Sequence, residues 1–232
     1  AEVRPVGMAV NALLDRLRRA LEAERSFTAN SAHELRTPVA GALAQTQRLL
    51  AELGDVRAHA RARDIEAALL RLSRLTEKLL QLAKAEGGLL RAAAPQDMRP
   101  IVSLVLADLP GAERVETRLP DRPVLSLLDI DVFAIALRNL VENALKYSPA
   151  NTLVQVELTA DAVLRVSNQG TPLTGEAFAR LRQRFERGGS TEEGAGLGLA
   201  IVDAIARGTG SAFTLEPGAS DGVTFRLTLP RS

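Results

Sequence analysis

The sequence has no cysteine and no tryptophan among its 232 residues, and aromatic residues make up 3%. Without cysteine there is no disulfide, no thiol nucleophile and no thiolate metal site, a usage that fits a reducing compartment. So few aromatics leave no broad stacking surface for single-stranded nucleic acid. A charge excess is also missing: 29 basic residues face 28 acidic ones, for a net charge of +1. No global field therefore draws the chain to nucleic acid or to a membrane surface. No apolar run reaches the about 18 residues that mark a transmembrane helix, and no signal-peptide pattern is present. Lysine is scarce, with Lys78, Lys84 and Lys146 the only three. What is present is enough chain for about two domains.

The first part is written in helical periods. Val10, Leu13, Leu14, Leu17 and Leu21 recur mostly at three and four, and the pattern runs without a breaker into Ser26–Pro38. With Leu35 as origin, Phe27, Ser31, Ala32, Val39, Ala42, Thr46, Leu49 and Leu53 lie within roughly 80° of it around a helix. His33 lies roughly 160° away, with Thr37 one turn on along the same face and Glu34 on its flank. Pro38 removes the partner of the Glu34 carbonyl, which predicts a bend there. Taken alone, the stretch reads equally as a surface histidine on an ordinary coiled-coil helix. Gly54-Asp55 marks a turn, and a second helix is expected over about 56–86, with Ile65, Leu69, Leu72, Leu75, Leu79 and Leu82 as its stripe. Two such helices bury one apolar face each poorly, so a homodimeric four-helix bundle is expected. His59, near the hairpin turn among Arg and Ala, reads as solvated.

Gly87-Gly88 ends the second helix, and residues 87–97 read as a linker. The period then changes. Helices are expected over 98–109, 130–147, 174–184 and 196–207. Strands are expected over 115–119, 124–128, 153–158, 163–167, 213–216 and 223–229. Helices interleaved with mostly antiparallel strands indicate an α+β sandwich.

Two constellations stand out in this second part. Asn139, Asn143 and Lys146 share one polar face of an otherwise apolar helix, and Tyr147 is the only tyrosine. Amides and an ammonium facing a cleft suit a metal-bound polyphosphate, since an Asn oxygen can ligate Mg²⁺ and a Lys can meet phosphate. The same face also reads as a solvent stripe capped at Ser148-Pro149. Then Gly194-Ala195-Gly196-Leu197-Gly198-Leu199 opens a helix, where backbone N–H groups can approach phosphate oxygens. Arg187, in the polar loop before it, can reach a terminal phosphate. No GK[ST] follows, so this is not a Walker loop, and no strand leads into it as in a dinucleotide-binding turn.

Together these residues resemble the catalytic core of bacterial sensor histidine kinases, from about residue 5 to the end. Phe27–Pro38 resembles the phosphoacceptor box, Asn139–Ser148 the asparagine box, Arg184-Phe185-Glu186-Arg187-Gly188 the phenylalanine box and Gly194–Leu199 the glycine box. Gly222-Val223-Thr224-Phe225 resembles the closing strand. The resemblance implies a fold: an all-α helical hairpin forming a dimeric four-helix bundle, then an α+β sandwich of the GHKL (Bergerat) ATPase type. It places the hairpin at 21–90 and the ATP-binding domain at 91–232. Residues 1–20 resemble the end of a HAMP linker. With the start at Ala1 rather than Met, this implies membrane-spanning and sensor segments upstream, and so the cytoplasmic portion of an inner-membrane receptor.

The resemblance also implies roles. His33 would take the γ-phosphoryl group of ATP, Glu34 would polarise the ring's other N–H, and Asn143 would bind Mg²⁺. Asn139, Lys146, Tyr147 and Arg187 would contact phosphate. Gly170, Gly194, Gly196, Leu197, Gly198, Leu199 and Thr224 complete the implied nucleotide site. The phosphoryl group would pass to an aspartate on a response regulator, and Thr37 would orient water to hydrolyse that aspartyl phosphate. One box departs from the pattern. The family's Asp-x-Gly-x-Gly, whose Asp accepts from the adenine amine, reads Asn168-Gln169-Gly170-Thr171-Pro172 here. An amide oxygen accepts without charge, a loss of about 1–2 kcal/mol, or roughly 5–30-fold in affinity. Two other readings stand beside the kinase: a phosphatase-biased receptor module with weak kinase activity, and a dimeric coiled-coil adaptor.

Overall fold

The computed structural model describes residues 35–51, 56–87, 89–184, 186, 196–216 and 222–231. The chain divides into two compact units, residues 1–87 and 88–232.

In the first unit, helix α1 covers residues 35–51 and helix α2 covers Val56–Gly87. The two meet where Gln47 Nε2 donates to Glu66 Oε1 at 3.3 Å. Of the α1 stripe, Val39 and Thr46 are buried. The Thr46 hydroxyl donates to the Ala42 carbonyl at 2.8 Å, and on α2 the buried Thr76 hydroxyl donates to Leu72 O at 2.9 Å. Each buried hydroxyl is thus satisfied within its own helix. Leu35, Leu49, Ile65 and Leu72, which the period assigns to the apolar stripes, remain 40–52% exposed in the single chain. Among the described residues, part of the apolar faces is therefore left open to solvent in one copy. The expected turn at Gly54-Asp55 and the part of the first helix before residue 35 lie outside the described residues, and so does Glu34, on which the expected bend at Pro38 depends.

The second unit is an α+β sandwich, as the pattern predicts. Its elements are β1 (Arg91–Asp97), α3 (Arg99–Ala107), a 3-10 turn (Ala112–Arg114), β2 (Val115–Arg118), β3 (Leu125–Leu128), α4 (Ile130–Tyr147), β4 (Val154–Leu158), β5 (Val163–Gln169), α5 (Gly175–Leu181), α6 (Gly198–Thr209), β6 (Phe213–Glu216) and β7 (Gly222–Thr228). The main sheet runs β2-β4-β5-β7-β6, with β2 parallel to β4 and every other pairing antiparallel. Burial alternates along β4 and β7, so one face of the sheet is apolar. Val156, Leu158, Leu164, Val166, Phe225 and Leu227 point into the core, where Phe133, Leu137 and Leu140 of α4 and Ile201 and Ile205 of α6 are fully buried. Helix α4 packs against α3, α6, β4 and β5 and is the centre of this layer. Phe178, Phe213 and Phe225 close one end of the core with ring centroids 5.2–6.0 Å apart. The other face is polar: Arg165 pairs with Glu157 and Glu216 at 3.2 and 3.1 Å.

Residues 87–97, read from the sequence as a linker, are corrected by the structure. The helix runs to Gly87, the Leu90 carbonyl accepts from Asp129 N at 3.0 Å, and Arg91–Asp97 pair antiparallel with β3. The register steps from Arg91↔Leu128 to Gln96↔Ser126, so a bulge takes up Ala92–Pro95. Small residues and a proline on a bulged edge strand carry no alternation, which is why the stretch looks like a connector.

Asp97 secures the junction of β1 and α3. Its carboxylate accepts from Arg99 N at 3.2 Å, from Val124 N at 3.1 Å and from the Arg99 guanidinium at 2.8–3.1 Å. The Arg99 side-chain bond, aided by these N–H groups, outweighs the effect of burial and holds the carboxyl down at about 2. A lowered folded-state value stabilises above the unfolded pKa and is lost as pH falls through the folded one. Urea unfolding is expected to show a loss on the order of 2 kcal/mol between about pH 4 and pH 2. Asp97→Asn is expected to be less stable at neutral pH and to lack that acid-dependent component.

Candidate functional site

Helix α4 is held at its amino end by Asp129, whose carboxylate accepts from Asp131 N and Val132 N at 3.1 and 3.2 Å. Its polar face is covered at Asn139 and partly open at Asn143 and Lys146. Asn139 is 2% exposed, and its Nδ2 donates to the Ile135 carbonyl at 2.8 Å. Asn143 and Lys146 are half-buried. Asn139 meets the start of α6: a Cβ at Gly198 would lie 3.3 Å from Asn139 Oδ1. Glycine at the first position of α6 lets the two elements close on each other.

The turn into α6 is built for backbone exposure. Gly196 has φ +64°, a left-handed conformation. Leu197 and Leu199 are buried, so these side chains anchor the turn and leave contact with a ligand to the main chain. The first turn of α6 carries no acidic residue, and its Leu197 cap makes no side-chain hydrogen bond. The helix dipole at this end favours an anion.

The end of β5 meets the end of α4. Gly170 has φ +152°, and a Cβ there would sit 2.9 Å from the Tyr147 carbonyl oxygen. A Cβ at Gly222 would sit 2.6 Å from the Asn168 carbonyl. Asn168 is held between these approaches and is 7% exposed. Its Nδ2 donates to Gln169 O at 2.8 Å, which leaves Oδ1 as the acceptor end of the amide. Lys146 Nζ lies 3.3 Å from the Tyr147 hydroxyl and 4.8 Å from its ring centroid, a cation–π contact on a half-exposed ring.

Thr224 does not join this group, which corrects the sequence expectation. In the β5–β7 register it lies opposite Ser167, to which its hydroxyl donates at 2.9 Å on the polar face of the sheet. Val223, opposite Asn168, is the residue on the core face. A one-residue step along a strand exchanges the faces. Pro172 is exposed on the way to α5. Thr37 is exposed on α1. His33, Glu34, Arg187 and Gly194 lie outside the described residues. The sequence reading names Gly222 only as part of the closing strand and misses Asp203. Asp203 is buried on α6 and accepts from Arg182 NH1 and Arg207 Nε, both at 3.1 Å, which ties the end of α5 to α6. Only the Asp203–Arg207 spacing of four is visible in the sequence.

Two family models match the chain. The histidine kinase-, DNA gyrase B- and HSP90-like ATPase family covers residues 129–232, and the His kinase A (phospho-acceptor) domain covers residues 23–88. The chain belongs to the sensor histidine kinases. The sensor protein kinase PmrB of Pseudomonas aeruginosa is 37% identical over 215 residues, covering 88% of this chain and 45% of that protein. The mycobacterial sensor histidine kinase MprB is 27% identical with a TM-score of 0.52, over 59% of this chain and 97% of that one. Full-length ShkA in complex with AMPPNP shares the fold, with a TM-score of 0.66 at 24% identity, over 88% of this chain and 45% of that one. The chain spans about half the length of the curated relatives it matches.

For this histidine kinase core the fit to a nucleotide can be judged from its own residues. The amide of Asn168, the glycine-opened start of α6 and the Asn139, Asn143 and Lys146 face of α4 form a donor and acceptor set suited to a base and a polyphosphate. The Gly170 contact is testable without ligand. Gly170→Ala is expected to lower urea stability by about 1–3 kcal/mol, because it places a side chain in a strained conformation against a backbone carbonyl. Gly175→Ala, where a Cβ meets nothing within 4 Å, is expected to be neutral or slightly stabilising.

Proposed function

We propose that the chain is an ATP-dependent protein-histidine kinase that phosphorylates itself on His33 and passes the group to an aspartate of a response regulator. The observation that carries this reading is buried Asn139 set against Gly198 at the start of α6, with Asn143 and Lys146 on the same helix face and Asn168, nearly buried, at the end of β5. Asn168 Oδ1 accepts from the exocyclic amine of adenine. Asn139, Lys146, Tyr147, Arg187 and the N–H groups of Gly194, Gly196, Gly198 and their neighbours hold the phosphates. Asn143 is the protein ligand for Mg²⁺, which when bound offsets phosphate charge.

The step needs a neutral imidazole at His33, a form available to histidine near neutral pH. One ring nitrogen forms the bond to the γ-phosphorus as the bond to the β–γ bridging oxygen breaks and ADP departs. Glu34 takes up the hydrogen of the other ring nitrogen. The protein supplies chiefly positioning and charge, as phosphoryl transfer requires. The receiver aspartate then displaces the imidazole. Thr37, exposed on α1, orients the water that later hydrolyses the aspartyl phosphate. The half-exposed Leu35, Leu49, Ile65 and Leu72 support a homodimer in which two hairpins complete a four-helix bundle. No helix among the described residues is long and apolar enough to cross a membrane. Attachment to an inner membrane, with this core on the cytoplasmic side, would come from segments outside this chain. A phosphatase-biased receptor is the second reading, favoured by the neutral Asn168.

Incubation with γ-labelled ATP is expected to give acid-labile, alkali-stable label that disappears in His33→Ala and falls sharply in Asn143→Ala. Asn168→Asp is expected to bind ATP roughly 5–30-fold more tightly. A folded, dimeric wild type without label overturns the kinase reading, and label restored only in Asn168→Asp selects the phosphatase-biased receptor.

A further inference from the structure

Of the residues assigned above to phosphate and Mg²⁺, Asn143, Lys146 and Tyr147 sit at the carboxyl end of α4, and helix ends loosen unless their free carbonyls find donors. Two of those carbonyls are met locally: Ser148 N donates to Ala144 O at 3.1 Å and the Ser148 hydroxyl to Leu145 O at 3.4 Å. Ser148 is in turn held from outside. Arg114, at the end of the 3-10 turn, donates from NH2 to Ser148 Oγ at 2.8 Å and to Pro149 O at 2.7 Å. Its Nε and NH2 both reach Thr152 O at 3.2 Å. Thr152 closes the same turn on itself, with its N–H and hydroxyl on Pro149 O at 3.1 and 2.8 Å.

The 3-10 turn also rests directly on the helix end. Gly111, with φ +85°, approaches Leu145 so closely that a Cβ would be 3.4 Å from Leu145 Cδ1. A cation at this end also opposes the negative pole of the helix dipole. One half-buried guanidinium thus gathers the whole connection from α4 to β4, from a position 34–38 residues away in sequence.

We propose that Arg114 is a positioning residue for nucleotide binding, a role that rests on the kinase reading above. It fixes the last turn of α4, and with it the settings of Asn143, Lys146 and Tyr147, without touching nucleotide. Its planar fork suits this: a lysine ammonium is a single point and cannot span three acceptors along the turn.

The test uses the full chain as wild type, Arg114→Ala, Arg114→Lys and Arg118→Ala, the last removing an exposed arginine from β2 as a control for net charge. Autophosphorylation is followed against ATP concentration, and amide hydrogen exchange is read without nucleotide. In Arg114→Ala the half-saturating ATP concentration is expected to rise about tenfold, while the rate at saturation stays within about twofold. Exchange is expected to quicken over residues 144–152. Arg114→Lys should fall between, and Arg118→Ala should match wild type. Lower thermal stability in Arg114→Ala with an unchanged ATP dependence would mean a purely structural arginine and overturns the proposal. Equal effects in Arg114→Ala and Arg118→Ala overturn it as well, by reducing it to net charge. A wild type that binds no Mg-ATP removes the kinase reading, and the positioning role with it. That outcome is told apart from the others because it needs no variant.

Discussion

The site depends on how closely two backbones can approach. At the end of β5, Gly170 lies against the carbonyl of Tyr147, so the last residue of α4 and the strand carrying Asn168 are fixed to each other through main chain. Gly222 does the same between β7 and Asn168, and Gly198 lets the start of α6 come up to the Asn139 side chain. Three missing side chains set the separations of four elements. Polar groups placed by main-chain contact keep their spacing when surface side chains change rotamer, and sites that handle charge need such preorganisation.

Most of the architecture is legible in the sequence because its signals are local. Helix α4 announces itself by its amphipathic period, and β4, β5 and β7 by alternation. The strand β1 is not legible: Ala92–Pro95 sit in a bulge where neither face is patterned. Candidate residues in α4 are identifiable by type and spacing, yet their burial is not, since a polar stripe looks alike whether it faces water or the start of another helix. The error at Thr224 has the same origin. Which face a strand residue takes depends on register with a distant partner, here Asn168↔Val223, and a chemically attractive hydroxyl gives no sign of that frame. Arg114 is the extreme case, one arginine among many whose partners lie on another element.

The two units solve the burial problem differently. The second has a full core: one sheet face, α4 and α6 supply large side chains that are entirely covered, and the polar outer face of the sheet needs no layer above it. The first leaves Leu35, Leu49, Ile65 and Leu72 half in water, and its buried positions include Ala62, Thr46 and Thr76. A hairpin with such small and hydroxylated interior positions has little apolar area of its own to offset chain entropy. Its stability is therefore tied to how much of the remaining stripe becomes covered, and so to protein concentration if the cover is a second copy.

Asn168 has one more consequence. An aspartate at that place would gain a proton in acid, turning an acceptor into a donor. The amide has no proton to gain or lose over this range, and its nitrogen is already committed to the Gln169 carbonyl. Whatever donor meets Oδ1 finds the same acceptor in acidified surroundings as at neutrality. What the pocket forgoes in strength of attraction it recovers as constancy.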